Sequence, residues 1–273
     1  MLNKEEITRY SKQLLLSEIG KAGQEKLKRS RVLVVGAGGL GCPALQYLAA
    51  AGVGTIGITD FDVVDETNLQ RQLLYSSEDV NRSKAMVATE KILTLNPFIQ
   101  VVPINLKFES ENAIELISGY DIVLDCTDNF ETRYLLNDAC VLLDKPFVYG
   151  GIYKFEGQLS VFNYKEEGRN KGPTYRCAFP EMHSGQALLN CSLTGVIGTL
   201  PGIIGTLQAN EVIKMITGIG EVCSGKILVL NTLTLSFAEI KINRNENLWC
   251  DIPKSIEELK TKIYFLSSPG VLI

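Results

Sequence analysis

The densest group of chemically capable residues lies between positions 36 and 84. Gly36-x-Gly38-x-x-Gly41 succeeds the apolar run Val32–Val35, and Asp60 closes the next apolar run. A glycine turn with an acid about twenty residues further on suits a nucleotide held where a strand passes into a helix. The turn alone is shared by dehydrogenases, flavoproteins and methyltransferases. Asp62, Asp65, Asn68-Leu69-Gln70-Arg71 and then Lys84 narrow the choice. A nicotinamide site has no use for such a cluster of carboxylates, amides and cations, whereas a nucleoside triphosphate with magnesium does.

Arg71 and Lys84 can neutralise phosphate oxygens, Arg71 in a two-pronged fashion. Surface cations are ordinarily no more than ion-pair partners, but these two stand close to a glycine-rich turn. Asp60, at a strand end, suits ribose hydroxyls. Asp125-Cys-Thr-Asp128-Asn129 ends another apolar run, and ligands of a doubly wound sheet gather at the carboxyl ends of its strands. Asp60 and Asp128 are therefore expected to face one crevice, with Asp128 the magnesium carboxylate. Helix capping is the rival role for Asp128 or Asn129, because a helical pattern begins right after them.

The elements that would carry these residues alternate. Strand patterns at 31–35, 55–59, 99–104 and 121–125 are separated by helical patterns at 40–51, 78–95, 110–118 and 130–143. Two short helices, 4–14 and 20–29, come first. This rhythm predicts an α/β fold: a Rossmann-like, doubly wound, mostly parallel sheet. A strand near 146–150 and runs at 158–164, 226–231 and 235–242, with one helix at about 197–217, predict an antiparallel extension. Residues 1–250 read as a single domain, opened by the N-terminal helices of 1–30. The segment 174–195 is long and weakly patterned, as functional loops often are. The tail 251–273 carries one amphipathic signal, 256–263, without an evident role.

The 273 residues carry a net charge of −4, which gives no footprint for nucleic acid. No 18-residue apolar run occurs, and the start, Met-Leu-Asn-Lys-Glu-Glu, has no apolar leader core. A cytoplasmic, membrane-free protein is expected. Seven cysteines without a Cys-x-x-Cys pair predict reduced thiols. Cys42, Cys126, Cys140 and Cys223 sit in apolar patterns and read as packing residues. The single histidine, His183, lies in a polar stretch and reads as solvated.

Together these stretches resemble the MoeB/ThiF adenylyltransferases, relatives of ubiquitin-activating enzymes that activate ubiquitin-like sulfur-carrier proteins. The resemblance rests on Arg9-Tyr-Ser-Lys-Gln13, Gly36–Gly41, Asp60-x-Asp62, Asn68-Leu69-Gln70-Arg71, Lys84, Asp125-Cys-Thr-Asp-Asn-Phe-x-x-Arg133 and Pro201-Gly-x-x-Gly-x-x-Gln-Ala209. It spans roughly residues 5–250. It implies that the C-terminal glycine carboxylate of the carrier attacks the α-phosphate of ATP, giving an acyl-adenylate and pyrophosphate. On this pattern Gly36, Gly38, Gly39, Gly41, Asp60, Asp62 and Leu69–Gln70 surround the nucleotide. Asn68, Arg71 and Lys84 hold phosphates, and Asp128 with Asn129 manages magnesium. The attacking carboxylate is already ionised at neutral pH, so no histidine base is required.

The resemblance further implies a homodimer in which an N-terminal cation crosses to the partner's triphosphate. Lys12 stands where the family has arginine, keeping the charge but losing the fork. Family members commonly hold structural zinc with two Cys-x-x-Cys pairs. Here Thr174 precedes Cys177, Pro253 comes after Cys250, and zinc is expected to be absent. Cys191 matches the cysteine that some members use for a thioester or persulfide link to the carrier; the alternative is an inert thiol. A sulfur donor, a cysteine desulfurase or rhodanese, is a further implied partner. The rival functions are adenylation of a peptide or amino-acid carboxylate, a nucleotide-binding scaffold without turnover, and an NAD oxidoreductase.

Overall fold

The computed structural model describes residues 1–166, 168, 170–180 and 195–264. Cys191 and His183 lie outside these residues. Eight strands form one sheet in the order β3-β2-β1-β4-β5-β6-β7-β8. They are β1 (Arg31–Val35), β2 (Thr55–Thr59), β3 (Gln100–Ile104), β4 (Ile122–Asp125), β5 (Phe147–Tyr153), β6 (Glu156–Phe162), β7 (Lys226–Asn231) and β8 (Ser236–Lys241). The first five pair in parallel, and β6, β7 and β8 are added antiparallel. The expected mixed sheet is therefore present.

The helices are α1 (Lys4–Arg9), α2 (Ser11–Leu14), α3 (Gly20–Arg29), α4 (Gly41–Ala51), α5 (Lys84–Leu95), α6 (Ala113–Ser118), α7 (Phe130–Leu142), α8 (Tyr175–Ala178), α9 (Thr199–Thr217) and α10 (Ile256–Thr261). Strand β1 shows why both faces need cover. Val32 and Val34 belong to the core shared with α4, α5 and α9, whereas Leu33 and Val35 belong to the core shared with α6 and α7. Side chains alternate along a strand, so an apolar run without alternation must be buried on both sides.

Chain order reverses between β1 and β4: β1 leads outward to β2 and β3, and the chain then returns to lay β4 on the other side of β1. Helices on opposite faces diverge there, leaving a crevice beyond the carboxyl ends of the two strands. Helix α9 packs against α4, β5 and β6 beside this region. The Gln208 amide donates to Asp125 O at 2.7 Å and Val148 O at 3.2 Å, tying β4 to β5.

Three expected helices differ from the structure. The 4–14 helix breaks at Tyr10, whose buried side chain accepts a hydrogen bond from Asn96 Nδ2 at 2.8 Å. The 78–95 helix begins only at Lys84. Ser76–Asp79 closes its own turn, and Asn81 takes φ 68°, which no right-handed helix can continue through. The 110–118 helix begins at Ala113, because the Asn112 side chain folds back onto Glu109 N and Lys107 O. The weakly patterned stretch after Thr174 contains α8.

Candidate active site

A continuous cavity of about 1650 Å³ opens at the crevice between β1 and β4. Its lining includes Gly36, Gly38, Gly39, Asp60, Asp62, Asn68, Gln70, Arg71, Lys84, Asp128 and Asn129. Most of the residues singled out from sequence are thus brought together. Gly41, Leu69 and Lys12 are not among the lining residues.

Gly41 and Leu69 act behind the site. A Cβ on Gly41 would collide with the backbone oxygen of Gly36, so this glycine lets the turn close on itself and presents nothing to a ligand. Leu69 packs against the core that contains α4 and α5. Lys12 is exposed on α2 and does not line the cavity of its own chain. Gly36 has φ 95°, and a Cβ there would meet Cys126 O at 2.6 Å. Only glycine fits this turn, both for its backbone and for its space.

Asp60 is a buried organiser of the turn. Oδ2 accepts from Ala37 N at 2.8 Å, and Oδ1 accepts from Asp62 N at 2.9 Å. Burial pushes its pKa up, while the Ala37 N–H and the Lys84 charge pull it down by less. Tyr75 donates to Ala37 O at 2.8 Å, so the residue after the first glycine is pinned at both its N–H and its carbonyl. Sequence reasoning misses Tyr75, because an aromatic residue in a mixed stretch carries no distinguishing signal.

The cations differ in state. Lys84 is the first residue of α5 and is buried; its Nζ pairs with Asp62 Oδ2 at 2.9 Å. Asp62, read from sequence as a nucleotide contact, is thus the resting partner of Lys84. Arg71 is half-buried, and its Nη1 donates to Thr67 O at 3.1 Å. Asp128 is exposed at the cavity, and its carboxylate takes no hydrogen bond or salt bridge among the described residues. Asn129 is the N-cap of α7, its Oδ1 accepting from Thr132 N at 2.9 Å. The rival capping role therefore falls to Asn129, and the free carboxylate is that of Asp128.

Arg133, the last residue of its motif, shapes the loop that carries Asp128. Its Nε lies 3.3 Å from the buried Asp125 Oδ2, and Nη2 donates to Thr127 O at 2.8 Å. The guanidinium also stacks over Phe130 and Tyr149. Burial raises the Asp125 pKa and Arg133 opposes it.

The four packing cysteines are buried as expected. Burial raises the Cys42 pKa to about 12 and that of Cys223 to about 11. Where a pair of zinc ligands would stand, the Thr174 hydroxyl lies 3.4 Å from Cys177 Sγ, which also accepts from Asn245 N at 3.4 Å. A neutral hydroxyl is a poor zinc ligand, so this pair does not fit a tetrahedral thiolate site.

A parallel core with a glycine turn, a buried acid and two cations gathered at one switch point defines an α/β protein of the kind that binds nucleotides. The chain belongs to the ThiF family, whose model matches residues 10–251. It is 48% identical over 242 residues to the "Sulfur carrier protein adenylyltransferase" of Thermus thermophilus, covering 89% of each chain. It is 50% identical over 260 residues to the "Probable molybdopterin-synthase adenylyltransferase" of Porphyra purpurea, covering 93% of this chain and 66% of that one. A third relative is the "Probable adenylyltransferase/sulfurtransferase MoeZ" of Mycobacterium tuberculosis, 49% identical, of which the chain spans 62%. The crystal structure of Escherichia coli MccB with ATP superposes with a TM-score of 0.75 at 24% identity, over 89% of this chain and 73% of that one. That likeness establishes the fold.

Proposed function

We propose that this chain is an ATP-dependent adenylyltransferase acting on the C-terminal glycine carboxylate of a ubiquitin-like sulfur carrier. The observation that carries the proposal is the continuous cavity that collects Asp60, Asn68, Arg71, Lys84 and Asp128 along the glycine turn. The names of relatives near 50% identity support the same reading. A carboxylate oxygen of the carrier attacks the α-phosphorus of ATP. The bond from that phosphorus to the bridging oxygen breaks, and pyrophosphate leaves with the electron pair. The enzyme does little covalent work: it holds two anions in line and neutralises growing charge.

Asp60 fixes the glycine turn and offers its remaining lone pairs to ribose hydroxyls. Arg71 and Lys84 meet phosphate oxygens, Lys84 by giving up or sharing Asp62. Gly38 and Gly39 let backbone approach the nucleotide. Asp128 fits a magnesium ion, since that ion commonly takes one or two carboxylates beside substrate phosphates. Bound there, the ion would supply charge neutralisation on the triphosphate.

Residues 1–250 act as one adenylation domain, and the protein works in the cytoplasm as a homodimer in which Lys12 completes the partner's site. The exposed position of Lys12 on α2, outside the lining of its own cavity, supports that arrangement. Zinc plays no structural part, because Thr174 stands where a thiolate would be needed. Cys191 acts, if at all, only after adenylation, in a thioester or persulfide step fed by a desulfurase or rhodanese.

The test is carrier-dependent exchange of labelled pyrophosphate into ATP. Arg71→Ala and Asp128→Ala should each lower it by about a hundredfold or more. Near-normal exchange in either folded variant overturns the mechanism. Absence of exchange in the unaltered chain, with ATP still bound, would favour the scaffold reading.

A further inference from the structure

The family match ends at residue 251, yet the chain runs on, and its continuation lines the same cavity as the glycine turn. Ser255 caps α10, and the wholly buried Leu259 on that helix joins the core beside α7. Two residues beyond the helix are bolted down at one point, the fully buried Asp138 on α7. Lys262 Nζ lies 3.1 Å from Asp138 Oδ2, and the Tyr264 hydroxyl donates to that same oxygen at 2.8 Å. Asp138 also receives Arg176 Nε and Nη2, both at 2.8 Å, and Asn137 Nδ2 at 2.9 Å. One carboxylate thus ties α7, α8 and the tail together.

Between the two bolted residues stands Ile263, which lines the cavity and is 75% exposed. Its neighbours fix the backbone on either side, so an exposed apolar residue is held at the cavity wall. The volume supports a second occupant. Sites for a single small ligand typically hold about 300–1,000 Å³, and this cavity is larger. Asp138 lies eight residues along α7 from Phe130, roughly 12 Å at the helical rise, so the tail is anchored at a different station along that helix from Asp128. A nucleotide seated on the glycine turn would leave the part of the cavity lined by the tail for a second occupant.

We infer that the segment 252–264 is an acceptor-specificity element, with Ile263 a direct apolar contact for the C-terminal tail of the carrier and Asp138 its positioning residue. The inference rests on the proposed function and adds to it a wall of the acceptor channel that the family-matched region does not supply. The contact contributes to carrier binding and leaves the nucleotide end untouched.

The test uses a purified ubiquitin-fold sulfur carrier ending in Gly-Gly, with the full chain as enzyme. Ile263→Asp should raise the KM for carrier in pyrophosphate exchange about tenfold, the scale of a significant interface residue. The KM for ATP and the melting temperature should stay at wild-type values. Tyr264→Phe, which keeps the ring but drops the bond to Asp138, should raise the carrier KM in the same direction by less. Ile263→Leu should restore the wild-type carrier KM. An unchanged carrier KM in Ile263→Asp, with the wild type active, overturns this inference alone. A rise in ATP KM by the same factor overturns it too, since the effect would not be specific to the acceptor. A wild-type chain that supports no exchange with such a carrier removes the proposed function and this inference with it.

Discussion

Lys84 stands at the cavity already paired, its Nζ 2.9 Å from Asp62 Oδ2, with the lysine buried and the aspartate half exposed. The pair keeps a buried ammonium satisfied, and on the proposed function a phosphate takes over from Asp62. Asp62→Asn should therefore destabilise the ligand-free protein by about 1 kcal/mol, the scale of a partly exposed pair. It should also enlarge the rise in melting temperature on adding magnesium ATP, because the freed ammonium gains more from phosphate. Equal rises in variant and wild type would show that Lys84 does not change partners.

Asp79 shapes the turn that delivers Lys84, and its effect depends on pH. Burial works to raise its pKa, yet the Ser76 backbone and hydroxyl bonds and the Lys91 charge lower it by more. A carboxylate with a depressed folded pKa adds stability that is present above its unfolded value and is lost as pH falls through the folded one. Asp79→Asn should cost about 1 kcal/mol at pH 7, as for a lost cap. The deficit should hold down to about pH 5 and close only below the ordinary value of about 3.9. Denaturant melts across that range would check it; a deficit independent of pH would be a packing effect.

Gly41→Ala should be far more damaging than its small size suggests. The new methyl would overlap Gly36 O, a backbone atom that cannot move without opening the turn. A loss of about 3 kcal/mol is expected, at the upper end for overpacking. A fall of under about 1 kcal/mol in the denaturant-derived stability would mean that α4 can slide away from β1.

The proposed homodimer makes its own demand. Lys12→Ala and Asp128→Ala subunits, each inactive alone, should recover about a quarter of wild-type activity after random exchange, because half the dimers carry one intact site. Verified mixed dimers without recovery would place Lys12 outside catalysis in trans. Elemental analysis of the same preparations should find zinc far below one per chain. Stoichiometric zinc lost on Cys177→Ser would overturn the reading of Thr174.

Much of the fold is legible because its signals are local. Strands β1 and β2 fall on the expected residues, since an apolar run bounded by charge and glycine leaves few alternatives. The glycine turn, Asp60, Arg71, Lys84 and Asp128 are legible as a group because their types match one ligand. The start of α5 is not: asparagine tolerates a left-handed backbone better than most residues, but a single one inside a helical pattern does not declare it. Nor is the contact set that ties the tail to α7. Asn137-Asp138 is a polar pair inside an apolar helical pattern, which signals a buried partner but not that the partners are Arg176, Lys262 and Tyr264. Pairings across 38 and 126 positions belong to tertiary structure, and no spacing rule reaches them.

Helix α7 begins with its Asn129 cap beside Asp128 and carries Asp138 two turns further on. It therefore works as a ruler between the Asp128 loop and the tail, graduated in residues. One residue inserted between Phe130 and Asp138 would swing the carboxylate about 100° around the helix axis. Arg176, Lys262 and Tyr264 would then face the wrong side, while the cap and Asp128 stayed in place. Length along this stretch is thus under a tighter constraint than composition: apolar exchanges on the helix can be absorbed, but insertions and deletions cannot.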